Sequence, residues 1–94
     1  MPLRFSWDEA KASTNLTKHH VAFEEAATVL GDPLSLTIPD PLHSAPDDER
    51  LVTIGLSTTG RLLVVVHSDQ DESIRIISGR LATRQERADY EENA

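Results

Sequence analysis

A chain of 94 residues allows one small domain, and its lack of cysteine excludes disulfides and thiolate metal sites. Apolar residues make up 38% and charged residues 27% of the sequence, a balance that favours a soluble globular fold over a disordered chain. No apolar run approaches the roughly 20 residues that a membrane span needs, and no apolar signal-peptide core follows the first residues. We therefore expect a cytoplasmic protein with no membrane partner.

The net charge of −7 argues against nucleic-acid binding by the surface as a whole. One segment, residues 73–87, departs from that balance because it contains four cations and a single anion. The cations are Arg75, Arg80, Arg84 and Arg87, and the anion is Glu86. Acidic residues lie on both sides of the segment, so any polyanion would have to bind at this local basic patch.

The N-terminal half of the sequence predicts a strand and two helices. Apolar and polar residues alternate over residues 3–7, as in a short strand. Asp8 is then placed to cap a helix that extends to about Lys18. Apolar residues recur at helical spacing over residues 23–30, and Gly31 is placed to cap this second helix at its C-terminus.

The C-terminal half predicts a sheet followed by one more helix. Residues 34–38 fit a short edge strand before a Pro-rich loop. Three longer strands follow: 50–57, 61–68 and 73–80. Short polar turns join them, which indicates an antiparallel meander whose apolar middle strand is covered on both faces. Thr83 and Glu86 have the spacing of a capping box, so a last helix begins at Thr83.

The fold class is therefore α+β. We expect a single domain over residues 1–94, with an antiparallel sheet packed against helices in the order β-α-α-(β)-β-β-β-α.

Four stretches of the chain, in collinear order, match the pattern of one protein family. They are Phe5-Ser6-Trp7-Asp8-Glu9-Ala10-Lys11; Phe23-Glu24-Glu25-Ala26; Gly60-Arg61-Leu62-Leu63-Val64-Val65; and Ile74-Arg75-Ile76-Ile77-Ser78-Gly79-Arg80. Together they resemble the BrnT family of toxins, and the resemblance covers nearly the whole chain. The chain differs from the family pattern at His20, where the family usually has Gly, and at Leu81, where it usually has Lys.

The resemblance implies a fold, an activity and a partner. Proteins of this family are similar in fold to RelE, cleave RNA endonucleolytically and are held inactive by BrnA-type antitoxins. These antitoxins carry a ribbon-helix-helix DNA-binding domain, so operator DNA would be reached only through the antitoxin. We accordingly expect an RNA substrate, a BrnA-like ribbon-helix-helix antitoxin and no cofactor. Residues 34–38 or a helix face could supply the antitoxin dock.

RNA cleavage without a metal requires a base for the attacking 2′-hydroxyl, cations for the phosphorane and an acid for the leaving oxygen. Histidine titrates near neutrality and arginine binds phosphate with a planar fork, so both residue types suit this chemistry. The candidate catalytic residues are Arg80, Arg75, His19 and Arg84, and we predict no metal site. We expect Arg80 to matter more to toxicity than any histidine. It ends the last predicted strand beside the start of the last helix, and the resemblance implies that the matching Ser-x-Arg and the following helix lie close to the RNA-binding surface.

Five further residues are candidates for RNA contacts: Lys11, Lys18, Arg50, His67 and Tyr90. Each has a structural alternative. The two lysines share a helix face with Asn15 that could simply be solvated. His67 could be a rim residue of the sheet, and Tyr90 could pack the last helix down instead of stacking on a base. His43, in the Pro-rich loop, is assigned no role.

Two other functions stay open at this point. One is a toxin-fold protein whose catalytic set has decayed and which retains only antitoxin binding and co-repression of its operon. The acidic balance of the chain and Leu81 favour that alternative. The other is an unrelated α+β interaction domain. Structural roles also remain open for His19, as a cation at a helix end, and for Arg75, as an outward strand residue.

Overall fold

The computed structural model describes residues 4–93, which form a five-stranded sheet and three helices. The strands and helices are β1 (Arg4–Ser6), α1 (Glu9–His19), α2 (Phe23–Val29), β2 (Leu36–Pro39), β3 (Leu51–Leu56), β4 (Leu62–Gln70), β5 (Ser73–Leu81) and α3 (Arg84–Asn93). This order confirms the predicted α+β class and includes the short edge strand. Residue 3, predicted to start the first strand, lies outside the described residues.

The sheet has the strand order β1-β5-β4-β3-β2. Strands β3 to β5 form the predicted antiparallel meander, with Val64 between Ile54 and Arg80. Strand β2 pairs antiparallel with β3, with Thr37 opposite Thr53. Strand β1 differs from the prediction because it pairs with β5 in parallel. A parallel pair needs a long connection, and most of the chain separates these two strands. The sheet is therefore mixed, with β1 and β2 at its edges.

Helices α1 and α2 cover one face of the sheet, and the hydrophobic core lies between them and the strands. The buried members of this core are Val21, Phe23, Ala26, Ala27, Val29, Leu63, Val65, Ile74 and Ile76.

Two glycines let α2 lie close to the strands. A Cβ on Gly55 would lie 2.9 Å from the Val29 side chain, and one on Gly79 would lie 3.2 Å from the Ala26 side chain. Side chains alternate along β3 and β4, so the neighbours of the core residues point to the opposite face.

Local capping chemistry sets two of the helix starts. Asp8 caps α1, since its Oδ1 accepts hydrogen bonds from the N–H of Ala10 at 2.8 Å and of Lys11 at 3.2 Å. The predicted capping box of α3 is confirmed. The Glu86 N–H donates to Thr83 Oγ1 at 3.2 Å, and the Thr83 N–H donates to Glu86 Oε1 at 2.8 Å.

The prediction for the end of α2 is wrong by one residue. The cap is Leu30 in a right-handed conformation, and Gly31 is not left-handed. The N–H groups of Gly31 and Asp32 each bond the carbonyl three residues earlier, which tightens the last turn and removes the need for a left-handed residue. No helix in the described part of the chain is long and apolar enough to cross a membrane.

Candidate functional site

Strands β3, β4 and β5 carry a cleft of about 360 Å³ on the face of the sheet opposite α1 and α2. Its floor is apolar and consists of Val52, Val64, Val66 and Ile77. Polar side chains surround this floor: His19, Asp40, His43, Arg50, Ser78 and Arg80. We call this the sheet cleft. It brings together groups from the end of α1, the loop after β2, the residue before β3 and the end of β5.

A second cleft of about 350 Å³, the helix cleft, lies between α1 and β5. Lys11, Lys18 and His19 line it from α1, and Ile77 and Ser78 line it from β5. His19, Ile77 and Ser78 also line the sheet cleft, so the two clefts are adjacent. Five of the nine candidate residues predicted from the sequence lie on this joint surface: Arg80, Arg50, His19, Lys11 and Lys18.

Arg80 is held at the end of β5 by a bidentate ion pair with Glu86. Its Nη1 donates to Glu86 Oε1 at 2.7 Å, and its Nη2 donates to Glu86 Oε2 at 2.9 Å. The hydrogen bonds from Arg80 lower the pKa of Glu86 to about 2, and the same contact raises the pKa of Arg80. Glu86 also belongs to the capping box of α3, so it joins the cation to the helix start. The guanidinium is well oriented, but its fork already holds a carboxylate.

Arg50 lies on the β3 side of the sheet cleft and also has an acidic partner. Its Nε and Nη2 donate to Asp48 Oδ2 at 3.1 Å and 2.9 Å. Both arginines of the cleft are thus paired with carboxylates, which reduces the positive potential there. Within residues 4–93, Lys11 and Lys18 of the helix cleft form no ion pair.

His43, to which the sequence assigned no role, lies on the rim of the sheet cleft. Its Nδ1 is 2.7 Å from Asp40 Oδ2, and its side chain is 69% exposed. A sequence signal for this pair existed in the spacing of an Asp and a His three residues apart. That spacing could not place the pair, because the position of the loop depends on how β2 and β3 pair.

Arg75 and Arg84, two of the predicted catalytic residues, lie outside both clefts. Arg75 is opposite Ser68 on β4 and Ser6 on β1. It precedes Arg80 by five residues on β5, roughly 15 Å at the rise of an extended strand. Arg84 is exposed at the first residue of α3. Neither residue lines a cleft with His19 and Arg80.

His67 was a candidate for RNA contact, with a rim position as the structural alternative, and its burial fits neither reading. Strand β4 continues past it to Gln70, and His67 is only 2% exposed. Its Nε2 lies 2.8 Å from Thr53 Oγ1, and its Nδ1 lies 2.8 Å from Asp69 Oδ1. Burial and two occupied ring nitrogens leave no atom of this side chain for a substrate.

Tyr90 packs α3 against the domain, which was the structural alternative for this residue. It is 8% exposed, and its hydroxyl donates to Asp32 Oδ2 at 2.6 Å, so its ring is not available to stack on a base. Burial raises the pKa of Asp32, but hydrogen bonds from Tyr90, Leu56 and Leu34 outweigh that effect and hold the pKa below its ordinary value.

Asn15 lies between Lys11 and Lys18 on the face of α1 that could have been solvated, but Asn15 itself is buried. Its Nδ2 donates to the carbonyls of Val21 and Gly79 at 2.9 Å each, and its Oδ1 accepts from the Gly79 N–H at 3.2 Å. These bonds tie α1 to β5. They therefore fix the side of α1 that carries the helix cleft.

A larger depression, about 600 Å³, lies elsewhere, around the end of α2. Apolar residues such as Ala27, Leu30 and Leu56 line it, and no cation does. The chemistry of a polyanion site favours the smaller sheet cleft. Within residues 4–93, no group of three or more His, Asp or Glu side chains is arranged to hold a metal ion.

Comparisons with known proteins identify the family of this chain. A family model for the ribonuclease toxin BrnT of type II toxin-antitoxin systems matches residues 7–86. The structure is similar to the crystal structure of the Brucella abortus ribonuclease toxin BrnT, with a TM-score of 0.67 and 26% sequence identity, covering 88% of this chain and 100% of that one. None of the curated proteins matches the sequence. Because the family model spans most of the chain, the protein belongs to the BrnT family of ribonuclease toxins of type II toxin-antitoxin systems.

Proposed function

We propose that this chain is an endoribonuclease that cuts RNA in the sheet cleft without a metal ion and thereby inhibits translation. One observation carries the proposal. Two arginines and two histidines converge on one open cleft: Arg50, Arg80, His19 and His43. Since its substrate and translation are both cytoplasmic, the cytoplasm is the proposed place of action.

The four groups supply each part of the reaction. The scissile phosphate would lie against Arg50 and Arg80, whose guanidinium groups stabilise the added charge of the transition state. A histidine accepts the proton of the 2′-hydroxyl as the bond from the 2′-oxygen to phosphorus forms. The bond to the 5′-oxygen breaks, and a protonated histidine gives that oxygen a proton. The products are a 2′,3′-cyclic phosphate and a 5′-hydroxyl.

The helix cleft would extend the RNA site. Lys11 and Lys18 lie next to the sheet cleft and can hold the phosphates that flank the scissile one. Phosphate contacts release counterions, so the affinity should fall steeply as salt rises. The net charge of −7 should keep this binding weak.

A specific observation favours a second candidate, a decayed toxin that only binds its antitoxin and co-represses its operon. Arg80 and Arg50 both hold carboxylates, so a phosphate must displace or share an acidic partner. Leu81, at a position where a lysine is usual in the resemblance, adds no charge to the site. The cleavage assay below separates the two candidates.

The antitoxin is proposed to be a BrnA-like ribbon-helix-helix protein, and operator DNA is contacted only through it. Strand β2 ends the strand order of the described sheet, and Ile38 on it is 60% exposed. An edge strand of this kind can accept an added strand. Co-expression with the neighbouring reading frame should give a complex at micromolar concentration, and Ile38→Lys should weaken it. Failure of the wild type to form any complex would contradict this partner.

The proposed activity is tested by comparing Arg80→Ala with Arg87→Ala. Both substitutions remove one arginine from the basic segment, but Arg87 lies on α3 and lines neither cleft. We expect Arg80→Ala to lower the rate of RNA cleavage by on the order of 100-fold and to abolish growth arrest, because one good donor to the transition state is lost. Arg80→Lys should recover little, since lysine lacks the planar fork. Arg87→Ala should cleave at the wild-type rate.

Each variant must first be folded, as judged by circular dichroism and antitoxin capture, because Arg80→Ala also removes the Glu86 ion pair. A folded Arg80→Ala that cleaves as fast as the wild type would show that the site lies elsewhere. A wild type that binds antitoxin but neither cleaves RNA nor arrests growth would establish the decayed toxin instead.

A further inference from the structure

His43 and Asp40 form a pair whose geometry suits proton transfer at the sheet cleft. An ionised carboxylate only accepts hydrogen bonds, so the contact from His43 Nδ1 to Asp40 Oδ2 at 2.7 Å places the ring proton on Nδ1. In the neutral ring, Nε2 then carries the lone pair. The exposed His43 side chain lines the cleft, so Nε2 is accessible from the side on which a substrate would bind.

The loop that carries the pair is fastened at its base. The Asp40 N–H donates to the Arg50 carbonyl at 2.9 Å, and Ser44 Oγ donates to the Asp40 carbonyl at 2.7 Å. The Arg50 N–H donates to Ser44 Oγ at 2.8 Å. These bonds join the end of β2 to the start of β3 and hold His43 beside Arg50. A base must be positioned before it can act, and this loop meets that requirement.

From this arrangement we infer that His43 is a catalytic residue of the cleft, the general base that takes the proton of the attacking 2′-hydroxyl, and that Asp40 is its positioning residue. The inference rests on the proposed ribonuclease function and names the base of that reaction. His43 Nε2 accepts the 2′-hydroxyl proton as the 2′-oxygen bonds to phosphorus. His19, on the α1 side of the same cleft, is the acid that protonates the leaving 5′-oxygen.

Several charged groups lie around His43. Asp40 contacts the ring directly. Arg50 with its partner Asp48, Arg80 with its partner Glu86, and His19 line or adjoin the same cleft. Because Asp40 contacts the ring itself, it is the group that positions the imidazole.

The test measures single-turnover cleavage of an RNA oligonucleotide across pH for the wild type, His43→Asn, Asp40→Asn, Asp40→Glu and His20→Asn. Asparagine at 43 keeps an N–H donor toward Asp40 but cannot titrate, so the loop bonds are preserved. His20 is exposed and lines neither cleft, so His20→Asn is the matched loss of a histidine. We expect His43→Asn to slow cleavage by between about 100-fold and 10,000-fold and to lose the rise in rate with increasing pH. Added imidazole should restore part of the rate.

Asp40→Asn should slow cleavage less than His43→Asn does. Asp40→Glu, which keeps a carboxylate for His43 Nδ1, should retain more of the rate than Asp40→Asn, a difference that a purely structural Asp40 would not produce. His20→Asn should match the wild type. If folded His43→Asn keeps the wild-type rate and pH profile, the inference about His43 is overturned while the ribonuclease function stands. If the wild type does not cleave RNA, both fall.

Discussion

Two Asp–His pairs within residues 4–93 have nearly the same geometry and opposite surroundings. His43 Nδ1 lies 2.7 Å from Asp40, and His67 Nδ1 lies 2.8 Å from Asp69. The first ring is on a loop at the rim of the sheet cleft, where its side chain is 69% exposed. The second is buried in β4, where its Nε2 lies 2.8 Å from Thr53 Oγ1. Thr37 Oγ1 lies 2.7 Å from the same hydroxyl, so that side chain network reaches the edge strand β2.

A carboxylate beside a histidine therefore does not by itself identify a proton-transfer group. The two pairs differ in the second ring nitrogen, Nε2. In His67, Nε2 contacts the Thr53 hydroxyl, and without that contact the buried ring would keep an unsatisfied polar atom. In His43 it is available to a substrate. One pair is therefore expected to control stability, and the other activity.

The largest expected effect is on the buried pair. His67→Ala removes a buried ring and leaves the buried Thr53 hydroxyl without its His67 partner, so we expect a loss of about 2–4 kcal/mol in the free energy of unfolding. His43→Ala, on an exposed loop residue, should change it by less than about 0.5 kcal/mol. Urea denaturation of both variants measures this difference. Equal losses would remove the distinction between the two pairs.

A carboxylate outside both pairs should control acid stability. Glu25 accepts hydrogen bonds from Arg61, Ser57 and Thr59, and the Arg61 bonds in particular lower its pKa from 4.5 to about 2. Because the pKa of Glu25 is lower in the folded state than in the unfolded state, its ionised carboxylate stabilises the fold fully at pH values above 4.5. This contribution is lost as the pH falls from 4.5 toward 2. Glu25→Gln should cost about 2 kcal/mol at neutral pH and flatten this acid dependence. Thermal melts between pH 7 and pH 3 give the measurement. If the melting temperature of Glu25→Gln falls with pH in parallel with that of the wild type, Glu25 does not control acid stability.

The ion pair between Arg80 and Glu86 allows a test of whether the acidic partners of the arginines weaken RNA binding in the sheet cleft. Glu86→Gln keeps the side chain shape, and glutamine also serves in a capping box, so α3 should stay in place. Removing the charge frees the guanidinium for phosphate, and we expect RNA affinity to rise several-fold, up to about tenfold, which corresponds to roughly 1.4 kcal/mol. Glu92→Gln, on the same helix, makes the same change in net charge away from Arg80. Fluorescence anisotropy with an uncleavable RNA measures the affinity of each variant. We expect a gain in affinity for Glu86→Gln and a smaller one for Glu92→Gln. Equal gains would show that only the net charge matters.

The smallest effect concerns a third histidine whose backbone, rather than its ring, matters. His20 ends α1 in the left-handed conformation with φ of 58°. Glycine adopts this region without the steric cost of a Cβ, so His20→Gly should stabilise the fold by about 0.5–1 kcal/mol. Differential scanning calorimetry should show a higher Tm with cleavage unchanged. A lower Tm would mean that the His20 ring makes a stabilising contact.

Local chemistry is the part of this structure that the sequence predicted well. The capping box of α3 and the Asp8 cap of α1 involve residues two or three apart, so their spacing is sufficient to locate them. The order of strands and helices followed from hydrophobic periodicity. The parallel pairing of β1 with β5 did not, because no local pattern specifies which edge a first strand occupies.

The candidate site was predicted in part, and its errors share a cause. His67 was expected at a rim because β4 was thought to end near it, whereas the strand continues through an irregularity between Val66 and His67. Asn15 is buried because its side chain meets Gly79, 64 residues away. His43 reaches the cleft because the ends of its loop pair across β2 and β3. Each of these positions depends on contacts between distant parts of the chain, which periodicity and spacing do not encode.

The most direct test of the central claim is to map an uncleavable RNA, with its 2′-hydroxyl groups methylated, by NMR on the isotopically labelled toxin. We expect backbone amide shifts to concentrate on the two clefts, at Val52, Val64, Ser78 and Arg80, and to reach Lys18 on α1 and His43 on the loop. We expect little change at Tyr90 or His67. Shifts concentrated instead around Arg84 and Arg87 on α3, or around the large apolar depression beside α2, would contradict the placement of the site on the open face of the sheet.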